Sequence, residues 1–224
     1  MTEIVVHHLE KSRSHRVLWA LEALDVPYTV KRYARNPKTM RADPALRDVH
    51  PLGKSPVVTI GETVIAETGA ILEHLSDLHD GRLRPAPGTD DAIRCRYFLH
   101  YAEGSLMPPL LVKLIIDRVR TAPLPFFVKP IARGIANKVD ETFTDREVES
   151  HGDFLDRELA DRSFFVGEAL TLADIQMSYP VQALLHRGGD RQWPNLRSWL
   201  TAMQARDDYQ RALEEGGDTN LIPG

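Results

Sequence analysis

The spacing of hydrophobic residues divides the chain into an N-terminal part with changing periods and a C-terminal part with helical periods only. Residues 3–9, EIVVHHL, and residues 28–33, YTVKRY, have strand patterns. Between them, apolar residues recur at helical spacing at Val17, Leu18, Leu21 and Leu24. Residues 39–50 are polar, with a short helix interrupted at Pro44, and residues 55–67 predict two strands around a Gly-Glu turn. A further helix carries Ile71, Leu72, Leu75 and Leu78 and is expected to end at Gly81. The predicted order is β-α-β-α-β-β-α.

The remainder of the chain predicts helices. Residues 80–91, DGRLRPAPGTDD, have the composition of a linker. Residues 91–120 form a long helical pattern that Pro108 and Pro109 should kink, and residues 126–160 predict one or two helices. Further helices are expected at Thr171 and near Pro194, followed by a tail over residues 214–224. We therefore predict an α/β domain over residues 1–82 and an all-α domain over residues 90–224.

Composition limits the classes of function. Of the 224 residues, 42% are hydrophobic and 27% charged, as in soluble globular proteins, and the net charge of −4 argues against nucleic-acid or membrane partners. No apolar stretch approaches the roughly 20 residues of a membrane span, and no secretory signal pattern is evident. A single cysteine, Cys95, excludes an internal disulfide and a cysteine-built zinc site. The adjacent His7 and His8 should lie on opposite faces of a strand. We expect a cytoplasmic protein without a metal site.

Two short motifs stand where an α/β domain presents free backbone groups. In HPLGKSPVVTI, residues 50–60, Pro56 enters a strand. A cis Ser55–Pro56 bond would direct the backbone of Ser55 outward, whereas a trans proline at the first strand residue is the commoner arrangement. In AETGAI, residues 66–71, Glu67 and Thr68 begin a helix whose free N–H groups either bind an anion or are capped by these side chains.

These motifs, together with SRSHRVLW (12–19), YAEGSLMPPL (101–110) and GEALTLADI (167–175), resemble the cytosolic glutathione S-transferase family. The likeness covers nearly the whole chain and is strongest to a fungal and bacterial branch with an S-R-x-x-R motif. It implies a thioredoxin-like α/β domain followed by an all-α domain, with glutathione as co-substrate. Thr171 and Asp174 form a capping-box variant to which we assign no chemistry. Ser55 stands where the family usually has a hydrophobic residue. Thr68 replaces the family's usual serine and keeps its hydroxyl.

The resemblance also implies which residues meet glutathione. The loop after the first strand should carry the hydroxyl that stabilises the glutathione thiolate, with Ser12 as first candidate, Ser14 as second and a one-residue shift to Lys11 as a further alignment. Ser14 is alternatively a helix N-cap, and Arg13 and Arg16 are alternatively a solvated face. In some classes the equivalent of Glu103 reaches across a dimer interface. The implied glutathione-binding residues are Arg13, His50, Lys54, Ser55, Pro56, Glu67, Thr68 and Glu103.

The second substrate is expected between the domains. The apolar wall implied there consists of Tyr101, Met107, Pro108 and Leu111, whose helical spacing fits plain core equally well. The implied protein is a homodimeric transferase that acts in detoxification on a small electrophile or a peroxide. A glutathione-dependent disulfide reductase and a non-catalytic glutathione- or ligand-binding protein are the alternatives.

Overall fold

The computed structural model describes residues 2–36, 39 and 41–217. The predicted order of the first elements is confirmed: β1 (Ile4–Leu9), α1 (His15–Leu24), β2 (Thr29–Tyr33), α2 (Leu46–Val49), β3 (Val57–Ile60), β4 (Thr63–Ala66) and α3 (Thr68–Asp77). The sheet order is β2-β1-β3-β4, in which β1 runs parallel to β2 and antiparallel to β3, and β3 runs antiparallel to β4. This mixed sheet with its helices is a thioredoxin-like α/β domain.

The second half is helical, as predicted. It comprises α4 (Asp90–Tyr101), α5 (Met107–Thr121), α6 (Lys129–Val139), α7 (Asp145–Glu158), α8 (Leu172–Arg187), α9 (Pro194–Gln204) and α10 (Asp207–Gly216). A π-helical turn, Ala102–Leu106, joins α4 to α5, and a second one, Asp140–Thr144, joins α6 to α7. In the described part of the chain no strand follows β4. None of the described helices is both long and apolar enough to cross a membrane.

The expected kink at the two prolines takes a different form. Pro108 and Pro109 occupy the first turn of α5, and the distortion lies just before them, in the π-helical turn Ala102–Leu106. A proline ring clashes with the carbonyl four residues earlier, and a wider turn moves those carbonyls aside. The distortion places Glu103 within this turn.

Two predicted element ends are wrong. Helix α3 ends at Asp77 rather than at Gly81, which lies in the following turns with φ +73° and donates its N–H to the Ser76 carbonyl at 2.9 Å. The predicted tail is helical over residues 214–216, because α10 continues to Gly216, with Tyr209 and Ala212 buried in the core. The rest of that tail, residues 218–224, lies outside the described residues, as does Met40 of the polar stretch.

Helix α1 lies at the centre of the molecule. Its residues Val17, Leu18 and Leu21 are fully buried in a core that continues from the sheet into the helical half. The last helix returns to α1, where Trp19 Nε1 donates to Asp208 Oδ1 at 2.9 Å. The linker is also attached to the start of α8, because the Leu172 N–H donates to the Leu83 carbonyl at 2.8 Å. The two halves therefore share one core around α1.

The start of α8 is fixed by a buried carboxylate. Asp174 accepts hydrogen bonds from the N–H of Thr171 at 3.0 Å and from its hydroxyl at 2.9 Å, which confirms the predicted pairing. The second carboxylate oxygen accepts from the N–H of Phe165 at 2.8 Å and lies 3.4 Å from Trp199 Nε1. Asp174 thus joins α8 to α9 and to the loop before α8.

Replacing Asp174 with alanine should leave these buried donors without acceptors. We expect Asp174→Ala to lower the free energy of unfolding by about 2–4 kcal/mol, measured by urea denaturation. Asp161→Ala is the matched control, because Asp161 is exposed and should change stability by less than about 0.5 kcal/mol. Equal losses in the two variants would contradict the structural role of Asp174.

Candidate active site

The loop between β1 and α1 brings two serine hydroxyls and a histidine together. Ser12 Oγ lies 2.8 Å from Ser14 Oγ and accepts from the Ser14 N–H at 3.2 Å. Ser14 Oγ lies 2.9 Å from His8 Nδ1, and Ser14 is completely buried. Ser14 occupies the N-cap position of α1, as the alternative predicted, but its side chain makes no capping hydrogen bond. Ser12 retains 8% exposure. Of the two serine residues, only Ser12 retains any exposure.

The backbone of this loop is held by hydrogen bonds from the Arg35 side chain. Lys11 adopts a left-handed conformation with φ 51°, and its side chain is exposed. Arg35 donates to the carbonyls of Glu10 at 3.1 Å and of Lys11 at 3.3 Å. The loop turns at Lys11 and leads directly to Ser12 and the first turn of α1.

Arg16 is fully buried, contrary to the alternative of a solvated face. Its guanidinium donates to the Gln176 carbonyl at 2.8 Å, to the Thr68 hydroxyl at 3.1 Å and to Glu103 Oε1 at 2.7 Å. Burial lowers the pKa of Arg16, and the charge of Glu103 opposes that shift. A single side chain thereby connects α1 with α3, α8 and the π-helical turn Ala102–Leu106.

A proline in α8 explains why the Gln176 carbonyl accepts from Arg16. Pro180 lies inside α8 and has no N–H, so the carbonyl four residues earlier, that of Gln176, loses its helical donor. Arg16 Nη1 supplies the missing hydrogen bond. Pro180 thus leaves one acceptor unpaired, and the buried Arg16 supplies the donor for it.

Arg13 and Tyr179 lie beside this group. Arg13 Nε lies 3.3 Å from Glu103 Oε1, and its side chain is 39% exposed. The guanidinium carbons of Arg13 and Arg16 lie 5.4 and 5.6 Å from the centre of the Tyr179 ring. Glu103 is therefore engaged within its own chain, between two arginines that lie over one aromatic ring.

The Ser55–Pro56 peptide bond is cis, so of the two arrangements open at this strand entry the commoner trans form is wrong. The Ser55 hydroxyl donates to the His7 carbonyl at 2.9 Å, which ties the loop to β1. Pro56 is buried, and Ser55 is half-buried. His50 ends α2 by donating its N–H to the Leu46 carbonyl at 3.1 Å, and Lys54 is exposed. These four predicted residues thus lie in one loop beside β1.

Glu67 and Thr68 begin α3, as predicted. Glu67 has φ 70° and an exposed side chain, and its carbonyl accepts from the Ile71 N–H at 3.0 Å. No cap hydrogen bond comes from the Glu67 side chain. Thr68 is 5% exposed, and its hydroxyl accepts from Arg16. The capping alternative is therefore wrong for the Glu67 side chain.

The four residues of the predicted apolar wall have different environments. Tyr101 is buried, bonds to His151 Nδ1 at 2.5 Å and packs against Phe98 and Phe154, which agrees with the plain-core alternative. Met107 is half-buried against the core, and Pro108 is exposed. Leu111 is 52% exposed. The residues on α5, unlike Tyr101, leave apolar surface accessible.

Sequence reasoning missed several side chains of this site: His8 as a partner of Ser14, Arg16 as a buried cation, and Tyr179. The signal for Arg16 was the interior proline of α8, which leaves an acceptor without a donor. His7 and His8 do have different partners, since His7 bonds to Tyr33 at 2.8 Å. No group of three or more metal-binding side chains occurs in residues 2–36, 39 and 41–217.

Comparison with known proteins identifies related chains. Residues 1–77 match the model of the glutathione S-transferase N-terminal domain, and residues 141–202 match that of the C-terminal domain. The chain is 31% identical over 222 residues to glutathione S-transferase 1 of Saccharomyces cerevisiae, covering 95% of this chain and 94% of that protein. It is 33% identical over 220 residues to glutathione S-transferase 3 of Schizosaccharomyces pombe, covering 97% and 90%.

A solved structure agrees with this likeness. The crystal structure of a glutathione S-transferase from Actinobacillus pleuropneumoniae superposes with a TM-score of 0.81 at 31% identity, covering 97% of this chain and 95% of that one. The similarity therefore extends through both halves of the fold.

The geometry around Arg16 predicts a coupled pair of substitutions. Arg16→Lys should lower the free energy of unfolding by about 3 kcal/mol, because it leaves buried acceptors unpaired. Pro180→Ala restores the helical N–H to the Gln176 carbonyl. The change that Pro180→Ala makes in the free energy of unfolding should therefore be at least about 0.5 kcal/mol more favourable in the Arg16→Lys background than in the wild type.

Arg13→Lys is the matched control for this cycle. Arg13 is partly exposed, and its contacts with Glu103 and the Tyr179 ring are looser than those of Arg16 with its acceptors, so its replacement should cost less than about 1 kcal/mol. Urea denaturation of the single and double variants measures the coupling. Strict additivity of Arg16→Lys and Pro180→Ala would show that the Gln176 carbonyl does not connect the two residues.

Proposed function

The chain belongs to the glutathione S-transferase family, and from this premise we propose that it activates glutathione at Ser12 for attack on a small electrophile or a peroxide. The observation that carries this proposal is the position of the Ser12 hydroxyl at the entrance to α1, on the one serine of the loop that retains exposure. The thiol of glutathione belongs to the co-substrate, so the protein needs to stabilise its thiolate and needs no nucleophile of its own.

Three features favour a thiolate beside Ser12. The first turn of α1 presents backbone N–H groups and the positive end of a helix dipole. Arg13 adds a positive charge next to Ser12, and its side chain is 39% exposed. A hydroxyl that donates to a charged sulfur contributes roughly 1.5–3 kcal/mol. Together these groups lower the pKa of a bound thiol.

The proposed binding of the tripeptide uses the two motifs beside this loop. The γ-glutamyl group is assigned to Glu67 and Thr68, where the start of α3 offers free N–H groups and Arg16 lies against Thr68. The backbone of Ser55, before the cis proline, is assigned to the cysteinyl unit. Lys54 and His50 in the same loop are assigned to the glycyl carboxylate, for which the exposed Lys54 offers a suitable charge.

The second substrate is assigned to the apolar surface of α5, with Met107, Pro108 and Leu111, and to the ring of Tyr179 on α8. The exposure of Leu111 and the position of Tyr179 over Arg13 support this placement. Tyr101 is left out of it, because its ring is buried within the helical half. An apolar wall of this kind accepts many shapes, so the electrophile is defined only as a class.

An assay on three substrates separates the proposed reaction from its alternatives. Turnover on an aryl halide or a hydroperoxide supports the transferase, whereas selective turnover on a mixed disulfide supports a glutathione-dependent reductase. Glutathione binding without turnover on any of them supports a non-catalytic binding protein. We further propose a cytoplasmic location with a role in detoxification, consistent with the buried, unpaired Cys95.

Ser12→Ala tests the assigned role directly. Loss of the hydrogen bond should raise the pKa of bound glutathione by roughly one to two units, since each unit corresponds to about 1.36 kcal/mol. Turnover near neutral pH should fall, and the deficit should shrink at alkaline pH, where the thiol ionises unaided. Glutathione binding should persist through the carboxylate contacts. Ultraviolet titration of the thiolate in the wild type and Ser12→Ala measures the shift, and an unchanged pKa would contradict the assignment.

We also propose a homodimer with Glu103 near its two-fold axis. The basis is the resemblance of YAEGSLMPPL to families in which this acid completes the neighbouring site. Light scattering at micromolar concentration should give twice the chain mass of 25.3 kDa. A mass equal to that of one chain would contradict the proposal.

A further inference from the structure

A continuous chain of hydrogen bonds leads from Ser12 to the end of the last helix. Ser12 Oγ lies 2.8 Å from Ser14 Oγ, which lies 2.9 Å from His8 Nδ1. The other nitrogen of the ring, Nε2, lies 2.8 Å from the carbonyl oxygen of Gly216 in α10. All three residues are buried, and Ser12 retains the largest exposed fraction, 8% against 2% for His8 and 0% for Ser14.

The carbonyl of Gly216 fixes the direction of this chain. A carbonyl only accepts, so Nε2 of His8 carries a proton, and in the neutral ring Nδ1 is then an acceptor. The Ser14 hydroxyl therefore donates to His8 Nδ1 at 2.9 Å rather than to the Leu9 carbonyl, which lies farther away at 3.3 Å. Ser14 Oγ in turn accepts from the Ser12 hydroxyl. Every hydrogen points inward, and the outer lone pair of Ser12 is left as an acceptor.

We propose that His8 accepts the proton of the glutathione thiol through Ser14 and Ser12, an inference that rests on the proposed function. The S–H bond breaks as its proton passes to Ser12 Oγ. The Ser12 proton passes to Ser14 Oγ, and the Ser14 proton passes to His8 Nδ1. The products are a thiolate and an imidazolium, with no change of total charge and no redox partner. His8 acts here as a positioning residue, because two hydroxyls separate it from sulfur.

The same transfer exchanges donor and acceptor in each hydrogen bond, so that Ser12 becomes able to donate to sulfur. Before it, the Ser12 hydrogen is committed to Ser14, so Ser12 cannot donate to sulfur without breaking that bond. After it, His8 Nδ1 donates to Ser14, Ser14 donates to Ser12, and Ser12 donates to the thiolate. The thiolate and the imidazolium consequently stabilise each other through the hydroxyl chain, and their titrations are coupled.

The surroundings keep His8 neutral before glutathione binds. Burial and the charge of Arg32 on β2 lower the pKa of His8, while the Gly216 carbonyl and Glu10 raise it. His15 on α1 is also neutral, because burial lowers its pKa to about 3. Glu215 on α10 is paired with Arg32 at 3.6 Å. In the neutral ring, Nδ1 of His8 is thus available to accept the proton from Ser14. When the product leaves, this proton returns through Ser14 and Ser12 to solvent.

The test compares the titration of His8 in two complexes of the intact wild-type protein. Nitrogen-15 NMR follows the ring with glutathione and with S-methylglutathione, which has the same carboxylates but no ionisable thiol. We expect the pKa of His8 to be about one unit higher with glutathione, a tenfold coupling. His7 is the internal control and should titrate alike in both complexes, because it bonds to Tyr33 and has no link to Ser14. Ser14→Ala should abolish the difference at His8.

The outcomes separate this inference from the proposed function. If ultraviolet absorbance shows bound thiolate while His8 titrates identically with the two ligands, the shared proton is refuted and Ser12 acts alone. If neither ligand perturbs the NMR spectrum and no thiolate forms, the proposed function itself fails. A difference between the ligands that persists in Ser14→Ala would also overturn the inference, because the proton would then follow another route. The wild-type comparison stands whether or not the variant folds.

Discussion

The arrangement of the site depends on one buried charge, the guanidinium of Arg16. Removal of an arginine from water is costly, and the cost is offset only where several acceptors meet its planar donors. The acceptors here come from the start of α3, from α8 and from the π-helical turn, through Thr68, Gln176 and Glu103. Because these elements are distant in sequence, one side chain fixes how the α/β half and the helical half meet beside α1.

The acceptor in α8 exists because that helix contains a defect. A regular helix satisfies its own interior carbonyls, so a buried cation would find no main-chain acceptor on its surface. Pro180 removes one donor and leaves the Gln176 carbonyl available at the depth that Arg16 reaches. Two features that are each unfavourable alone, a proline in a helix and a charge in the core, therefore stabilise one another. The same position brings Tyr179, the residue before the proline, over both arginines.

The sequence predicted those features that local patterns determine. Hydrophobic periods predicted the order of all elements through α3, and the Thr171–Asp174 pairing and the Ser55–Pro56 turn depend on neighbouring residues. The features it missed depend on distant ones. An arginine among polar residues is most often exposed, and only the fold brings Gln176 and Glu103 to Arg16 and buries it. Likewise, nothing in residues 207–216 alone indicates that this segment packs on α1, which is why no separate helix was predicted there and residues 214–216 were assigned to a tail.

The contact between the end of α10 and the first strand has a chemical consequence. A pair of serines and a histidine has no fixed direction by itself, because hydroxyls donate or accept and a neutral imidazole has two tautomers. The Gly216 carbonyl removes that freedom by requiring a proton on His8 Nε2. A side chain at position 216 would crowd this contact, since an added Cβ would lie 2.6 Å from Leu18 and 3.1 Å from the His8 ring. Glycine there allows α10 to approach closely enough for a backbone atom more than 200 residues away to orient the hydroxyl of Ser12.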